Sequence, residues 1–132
     1  MARRLILDTS TLIAYERRRF DIVTLDDDDL AIAAVTVAEL RTGIELADTA
    51  QRAADRARVV AAITATMAVL DYTEATAVAH GRLLAHVRRT GAPRGAHDLI
   101  VASHAVDDSR AVLSLDAKAR FGDLPGVLAL AP

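Results

Sequence analysis

The chain has 132 residues, 52% of them hydrophobic and 26% charged, the composition of a folded globular protein and not of a disordered one. It contains no Cys, which excludes disulfides, thiolate zinc sites, Fe–S clusters and a Cys nucleophile, so any metal must be held by Asp, Glu or His. The formal net charge of -2 gives no globally basic surface for nucleic acid, and an Arg-rich set of basic residues in which Lys118 is the single Lys carries little weight beside it.

Leu5-Ile6-Leu7 reads as a buried strand that ends on Asp8, and Thr9-Ser10-Thr11 lead at once into a helix pattern from Leu12. Asp8 therefore falls at a strand's carboxyl end, where ligands bind in open α/β sheets. Helix capping explains the same residue equally well. Arg17-Arg18-Arg19 and Asp26-Asp27-Asp28-Asp29 flank a short apolar piece, Phe20 to Leu25. Adjacent like charges repel and cannot all point at one ion, so the acidic run reads as a solvated loop. Leu30 to Val35 is a continuous apolar run, as expected of a strand covered on both faces of a parallel sheet.

Thr36-Val37-Ala38-Glu39 then carries the capping-box signature and predicts a helix to about Ala47, followed by a second from Thr49 to Met67. The hairpin they form is Ala-rich on its apolar face, which suits close packing against a second chain. Ala68-Val69-Leu70 is a short strand, and Thr73 or Thr76 caps a helix to Thr90 with Val78, Leu83, Leu84 and Val87 inward. His80 and His86 lie six apart on that helix, off the i, i+4 spacing of paired ligands, and read as ordinary helix residues. After the Gly91–Gly95 loop, Ala96 to Ala105 is helical with Asp98 in its first turn, a position the helix dipole favours for any acid. Ala111 to Leu115 is a further buried strand with Asp116 at its carboxyl end, and Val127 to Leu130 is the last, after an intervening helix around Lys118. The order β-α-β-α-α-β-α-α-β-α-β specifies an α/β protein with a mainly parallel sheet.

Capping accounts for Asp8, Glu39, Asp98 and Asp116 one at a time. Together, all four fall at strand ends or helix starts on one edge of a parallel sheet. Carboxylates gathered there raise one another's pKa and require a cation. An oxygen-only donor set selects a hard ion, Mg²⁺ or Mn²⁺, and such ions serve phosphoryl chemistry.

Asp8-Thr9-Ser10, Thr36-Val37-Ala38-Glu39-Leu40, Asp98-Leu99-Ile100-Val101-Ala102 and Ser114-Leu115-Asp116 followed by Phe121 resemble, in this order, the PIN-domain ribonucleases, and among them the VapC toxins of bacterial toxin–antitoxin pairs. The resemblance spans nearly the whole chain. It implies a PIN-like three-layer sandwich, one domain over residues 1–132, and a cytoplasmic Mg²⁺-dependent endoribonuclease in which Mn²⁺ substitutes. It further implies inhibition by a VapB antitoxin, whose basic side chain reaches toward the acidic site, and a toxin homodimer. Asp8 and Asp98 would be the principal metal ligands, Glu39 and Asp116 would complete the acidic site directly or through water, and Ser10 or Thr9 would orient a water. Ser114 departs from the Thr more common in the family, but either residue supplies a hydroxyl.

A response-regulator receiver would need an acidic pair where Asp8 stands alone, and a haloacid-dehalogenase-type phosphatase would need an Asp where Ser10 stands. The alternative from another class is a PIN-like binding subunit that acts through its antitoxin complex. No apolar run is long enough to span a bilayer, and the apolar segment after Met1-Ala2-Arg3-Arg4 is too short for a signal peptide.

Overall fold

A computed structural model describes residues 2–17 and 25–132, except for the side chain of Glu16. All of the expected apolar piece Phe20–Leu25 except Leu25, which is buried, and two of the three consecutive arginines, Arg18 and Arg19, lie outside the described residues. Ten elements organise the rest: β1 (Arg4–Leu7), α1 (Thr9–Glu16), β2 (Asp29–Ala33), α2 (Ala34–Glu45), α3 (Ala50–Thr66), β3 (Ala68–Leu70), α4 (Glu74–Thr90), α5 (Ala96–Asp107), β4 (Ala111–Leu113) and β5 (Ala129–Leu130).

The strands form one five-stranded sheet in the order β3-β2-β1-β4-β5. Every neighbouring pair is parallel. Side chains alternate across it as the two-residue period of a strand demands. Ile6 and its register partner Val112 enter one core with Leu83, Leu99, Val101, Ala102 and Phe121. Leu5 and Leu7, partnered by Ala111 and Leu113, enter the other with Leu12, Ile32, Ile63 and Met67. The chain is thus a three-layer sandwich: α4 and α5 cover one face of the sheet, while α1 and the α2–α3 hairpin cover the other.

This topology creates the crevice. From β1 the chain steps outward through β2 to β3, then returns to the far side of β1 for β4 and β5. After β1 it turns into α1, whose Leu12 lies in one core. After β4 it turns into two short 3₁₀ segments whose Ala119 and Phe121 lie in the other. Neighbouring strands that send the chain to opposite faces leave a gap between their carboxyl ends, the usual place for a ligand in open α/β sheets.

Four expectations from sequence change. α2 begins at Ala34, directly off β2, with Ala33 at the cap and no side-chain capping bond. Thr36 and Glu39 are therefore inside the helix and not a capping box, because Ala34 and Val35 continue as helix where a longer strand was expected. Between β4 and β5 there is no α-helix but the 3₁₀ turns Ala117–Ala119 and Phe121–Asp123. Arg120 between them has φ 46, a left-handed conformation that stops a helix from propagating, and Pro125 follows shortly after. Val78 faces outward at 54% exposure, and Thr76, Ala79 and Leu83 form the inner face of α4 instead. Finally, the Asp26–Asp29 run is not uniformly solvated: Asp28 and Asp29 are paired with Arg3, Arg4 and Arg110.

Among the described residues, no helix is long and apolar enough to cross a membrane.

Candidate active site

Asp8 leaves β1 directly into the crevice and is buried, at 5% exposure. A carboxylate taken out of water must be hydrogen-bonded, and this one is. Its Oδ1 accepts from the Thr11 amide at 3.0 Å and the Ser10 hydroxyl at 3.1 Å, and its Oδ2 from the Ser114 hydroxyl at 2.6 Å. Asp8 is therefore a genuine helix cap for α1. The same bonds fix its orientation.

Ser114, at the end of β4, does more than supply a hydroxyl. While donating to Asp8, it accepts from the Asp116 amide at 3.0 Å, and Thr11 Oγ1 accepts from the Leu115 amide at 3.0 Å. Two chain segments that share no loop are tied together across the switch point. Asp116 caps the 3₁₀ turn that follows, accepting from the Lys118 amide at 3.0 Å. The hydroxyl of Ser10 is directed at Asp8.

Glu39 lies on the second turn of α2. Its Oε2 accepts from the Thr9 hydroxyl at 3.1 Å, and its Oε1 lies 2.9 Å from Nδ1 of His97 without the alignment of a hydrogen bond. The other ring nitrogen of His97, Nε2, is 3.2 Å from the hydroxyl of Thr36, which is buried.

Asp98 differs from the other three. α5 ends at Asp107, only a few residues before β4 begins, so its amino end lies at the carboxyl edge of the sheet. Gly95, and not Asp98, caps the helix. Among the described residues the Asp98 carboxylate has no hydrogen-bond or ion-pair partner. Its pKa is raised above the ordinary 3.8, first by burial and then by the charges of Asp8, Asp116 and Glu39, with His97 opposing. Asp8, Glu39 and Asp116 are thus within electrostatic reach of Asp98.

The donor set is all oxygen, which suits a hard divalent ion. Among the described residues, no three His, Cys, Asp or Glu side chains draw close enough to enclose an ion between them. A hard ion that keeps several waters and binds protein through one or two carboxylates fits that spacing, whereas a closed structural cage does not.

Sequence reasoning missed His97 and the linking role of Ser114. His97 had a signal available in its place beside Asp98, but a His gains meaning only from the partners that folding brings to it.

A five-stranded parallel sheet flanked by helices gives this chain a PIN-type fold, matched by the solved structures that superpose on it. No family model matches the chain. Over 131 residues, 94% of this chain and 94% of the relative, it is 28% identical to the tRNA(fMet)-specific endonuclease VapC of Salmonella typhimurium. It superposes on a chain of the Mycobacterium tuberculosis VapBC-5 structure with a TM-score of 0.82 and 27% identity, covering 98% of both chains. The DNA-bound VapBC structure from Salmonella typhimurium gives a TM-score of 0.84 at 24% identity, covering 99% of this chain and 98% of that one. The resemblance to the VapC toxins read from the sequence therefore holds in both sequence and fold.

Proposed function

We propose that this protein is a divalent-metal-dependent endoribonuclease of the VapC type, a toxin restrained by a VapB-type antitoxin. The observation that carries this reading is Asp98, a half-buried carboxylate without a partner among the described residues, facing three further carboxylates. Such crowding costs stability and, at neutral pH, is relieved by a bound cation. The endonuclease activity named for the Salmonella relative agrees with that reading.

Mg²⁺, or Mn²⁺ in its place, would be held by Asp8 and Asp98, where it supplies neutralising charge for a phosphodiester and acidifies a water for in-line attack. The chain's own residues do the positioning. Ser10, Thr11 and Ser114 hold Asp8 in one orientation, so its ligating geometry is set before anything binds. Asp116 and Glu39 would complete the acidic site, directly or through water. Without a cation, the same four carboxylates repel the RNA backbone. The apo crevice is thereby closed to substrate by its own charge.

An antitoxin has a surface to meet. A groove of about 420 Å³ between α1 and the α2–α3 hairpin is lined by Leu12, Ile13, Leu40, Val59 and Ile63, with Glu39, Asp55 and Arg56 among its polar lining. A segment with apolar side chains in the groove and a basic one at the acids would occupy both. For the toxin itself we propose a homodimer through the Ala-rich hairpin, where Ala50 and Ala54 are exposed. Light scattering on the purified protein checks it, and a monomer at all concentrations removes it.

The deciding experiment compares RNA cleavage by the parent and by Asp98→Asn, with Mg²⁺, with Mn²⁺ and after chelation. Loss of a metal ligand should lower the rate by at least ~10²-fold, with circular dichroism unchanged. If the variant cuts as fast as the parent, Asp98 is only a helix-start residue. A parent that cuts no RNA with either ion points instead to a binding subunit.

A further inference from the structure

We propose that His97 is a positioning residue for this site: its ring clamps the Glu39 carboxylate in place opposite Asp98 by bridging the first turns of α2 and α5. The inference rests on the metal-site reading above and adds to it a residue outside the acidic set.

The geometry is specific. Thr36 and Glu39 are three apart on α2 and so share a face, and the ring of His97 lies across both. Nδ1 faces Glu39 Oε1 at 2.9 Å, and Nε2 faces Thr36 Oγ1 at 3.2 Å. The Nδ1 contact is off the alignment of a hydrogen bond and acts on the Glu39 carboxylate as a close polar contact, while Nε2 is within hydrogen-bond distance of the Thr36 hydroxyl. Thr36 is fully buried and cannot follow a moving ring. The Thr9 hydroxyl holds the other oxygen of Glu39 at 3.1 Å. Glu39 itself is half exposed, at 47% of its side chain, and a long acidic side chain at that exposure samples several rotamers unless something fixes it. With Thr9 on one oxygen and His97 on the other, one rotamer is selected, and its charge is one of those felt at Asp98.

The starts of the two helices bring the partners of this clamp together. α2 begins directly off β2 and α5 begins at Gly95, so residues 36, 39 and 97 all lie within the first two turns at the carboxyl edge. A ring in that place joins the two halves of the acidic site across the sheet. Its effect on a cation is exerted through Glu39, in the manner of the outer partners that orient metal ligands.

Two substitutions separate the contacts. His97→Asn places an amide nitrogen near the position of Nδ1 and keeps the contact to Glu39 while losing Thr36. His97→Gln places its amide oxygen near Nε2, keeping Thr36 while losing Glu39. Apparent Mn²⁺ affinity is read from the concentration dependence of the melting temperature of the full chain, and kcat and KM are read on RNA. We expect His97→Gln to weaken Mn²⁺ about 10-fold and to lower kcat, and His97→Asn to recover most of that loss. In a Glu39→Gln background, His97→Gln should change Mn²⁺ affinity no further, because the group through which it acts is gone. A ring that merely staples two helices would lower metal-free melting temperature in both variants and leave Mn²⁺ affinity at the parent value. That result, or equal losses in the Asn and Gln variants, overturns the inference. A parent with no saturable Mn²⁺ response overturns the metal-site reading and this clamp with it, whereas a responsive parent with an unaffected His97→Gln overturns the clamp alone.

Discussion

The two edges of the sheet use carboxylates in opposite ways. At the amino edge every acid that matters faces a guanidinium: Arg3 meets Asp28 at 2.6 Å, Arg4 meets Asp29 at 3.5 Å and Asp108 at 3.2 Å, and Arg110 meets Asp29 at 3.0 Å and Asp108 at 2.6 Å. Arg110 is itself buried and also donates to the carbonyls of Leu5 in β1 and Asp29 in β2. At the carboxyl edge, Asp8 is met by hydroxyls and an amide, Glu39 by a hydroxyl and an imidazole, and Asp98 by neither, among the described residues. The amino edge is electrostatically complete without a ligand. The carboxyl edge is not, and that imbalance is what the proposed metal-site reading rests on.

The largest effect should come from breaking the complete edge. Arg110→Met keeps the apolar stem and removes the guanidinium, leaving the carbonyls of Leu5 and Asp29 without their donor and Asp29 and Asp108 with Arg4 alone. Removing one member of a buried pair typically costs 3–5 kcal/mol; because Asp29 and Asp108 are partly exposed, we expect the lower end, about 3 kcal/mol. Urea unfolding measures it. The RNA-cleaving rate per folded molecule should not change, and a variant that lost activity while retaining its stability would contradict the division between the edges.

The strand runs and the helix opening at Ala96 were legible in the sequence because both depend on local pattern, although β4 stops at Leu113, short of the expected Leu115, and leaves Asp116 in the turn beyond it. β3 falls where Ala68-Val69-Leu70 placed it, and Thr73 caps α4 as expected. What the pattern could not carry was anything decided by distant partners. Arg110 reads as one surface Arg among many until β1 and β2 lie against it. Asp28 and Asp29 read as solvent-facing because their partners Arg3, Arg4 and Arg110 are 25 to 81 residues away. Glu39 matched a capping box, but α2 starts three residues earlier, with Ala33 and not Thr36 at its cap, and the Glu39 carboxylate meets Thr9 and His97 instead. Val78 fitted the periodicity of α4 and still faces outward, since the inner face is set by the small Ala79 and the buried Thr76, whose hydroxyl bonds Asp107 at 2.9 Å.

A second experiment sharpens the comparison from the incomplete edge. An ion that binds only the folded protein stabilises it by about 2.7 kcal/mol at a hundredfold excess over its dissociation constant, which for a chain of this length raises the melting temperature by roughly 10 °C. Mn²⁺ should produce this saturably, and a matched ionic strength of Na⁺ should not. Asp98→Asn should melt higher than the parent in the absence of metal, since it removes a charge that three others oppose, and should lose the Mn²⁺ response. Asp8→Asn should not share the first property, because its carboxylate accepts three hydrogen bonds that an amide can only partly replace. If Asp8→Asn gains stability and Asp98→Asn loses it, the crowding has been assigned to the wrong acid.

The smallest effect, and the most direct contrast, lies in the pH dependence of stability. Arg3 lowers the pKa of Asp28 below 3.8 through its hydrogen bonds, so the stability it contributes is present above 3.8 and is lost as pH falls through the depressed value. Burial, followed by the Asp8 charge, raises the pKa of Asp98 above 3.8. Its contribution has the opposite sense: it favours folding below 3.8 and is lost as pH rises through the elevated value. The two edges should therefore respond to acid with opposite slopes. Metal-free melts of Asp28→Asn and Asp98→Asn across the acidic range should differ from the parent in complementary windows. Asp28→Asn should lose stability relative to the parent at neutral pH and approach it under acid. Asp98→Asn should gain on the parent at neutral pH and converge with it under acid, where the parent's carboxyl is already protonated and no charge remains to remove. A constant offset between Asp98→Asn and the parent at every pH would mean that Asp98 titrates alike in the folded and unfolded chains, and that the four carboxylates share an edge of the sheet without sharing a field.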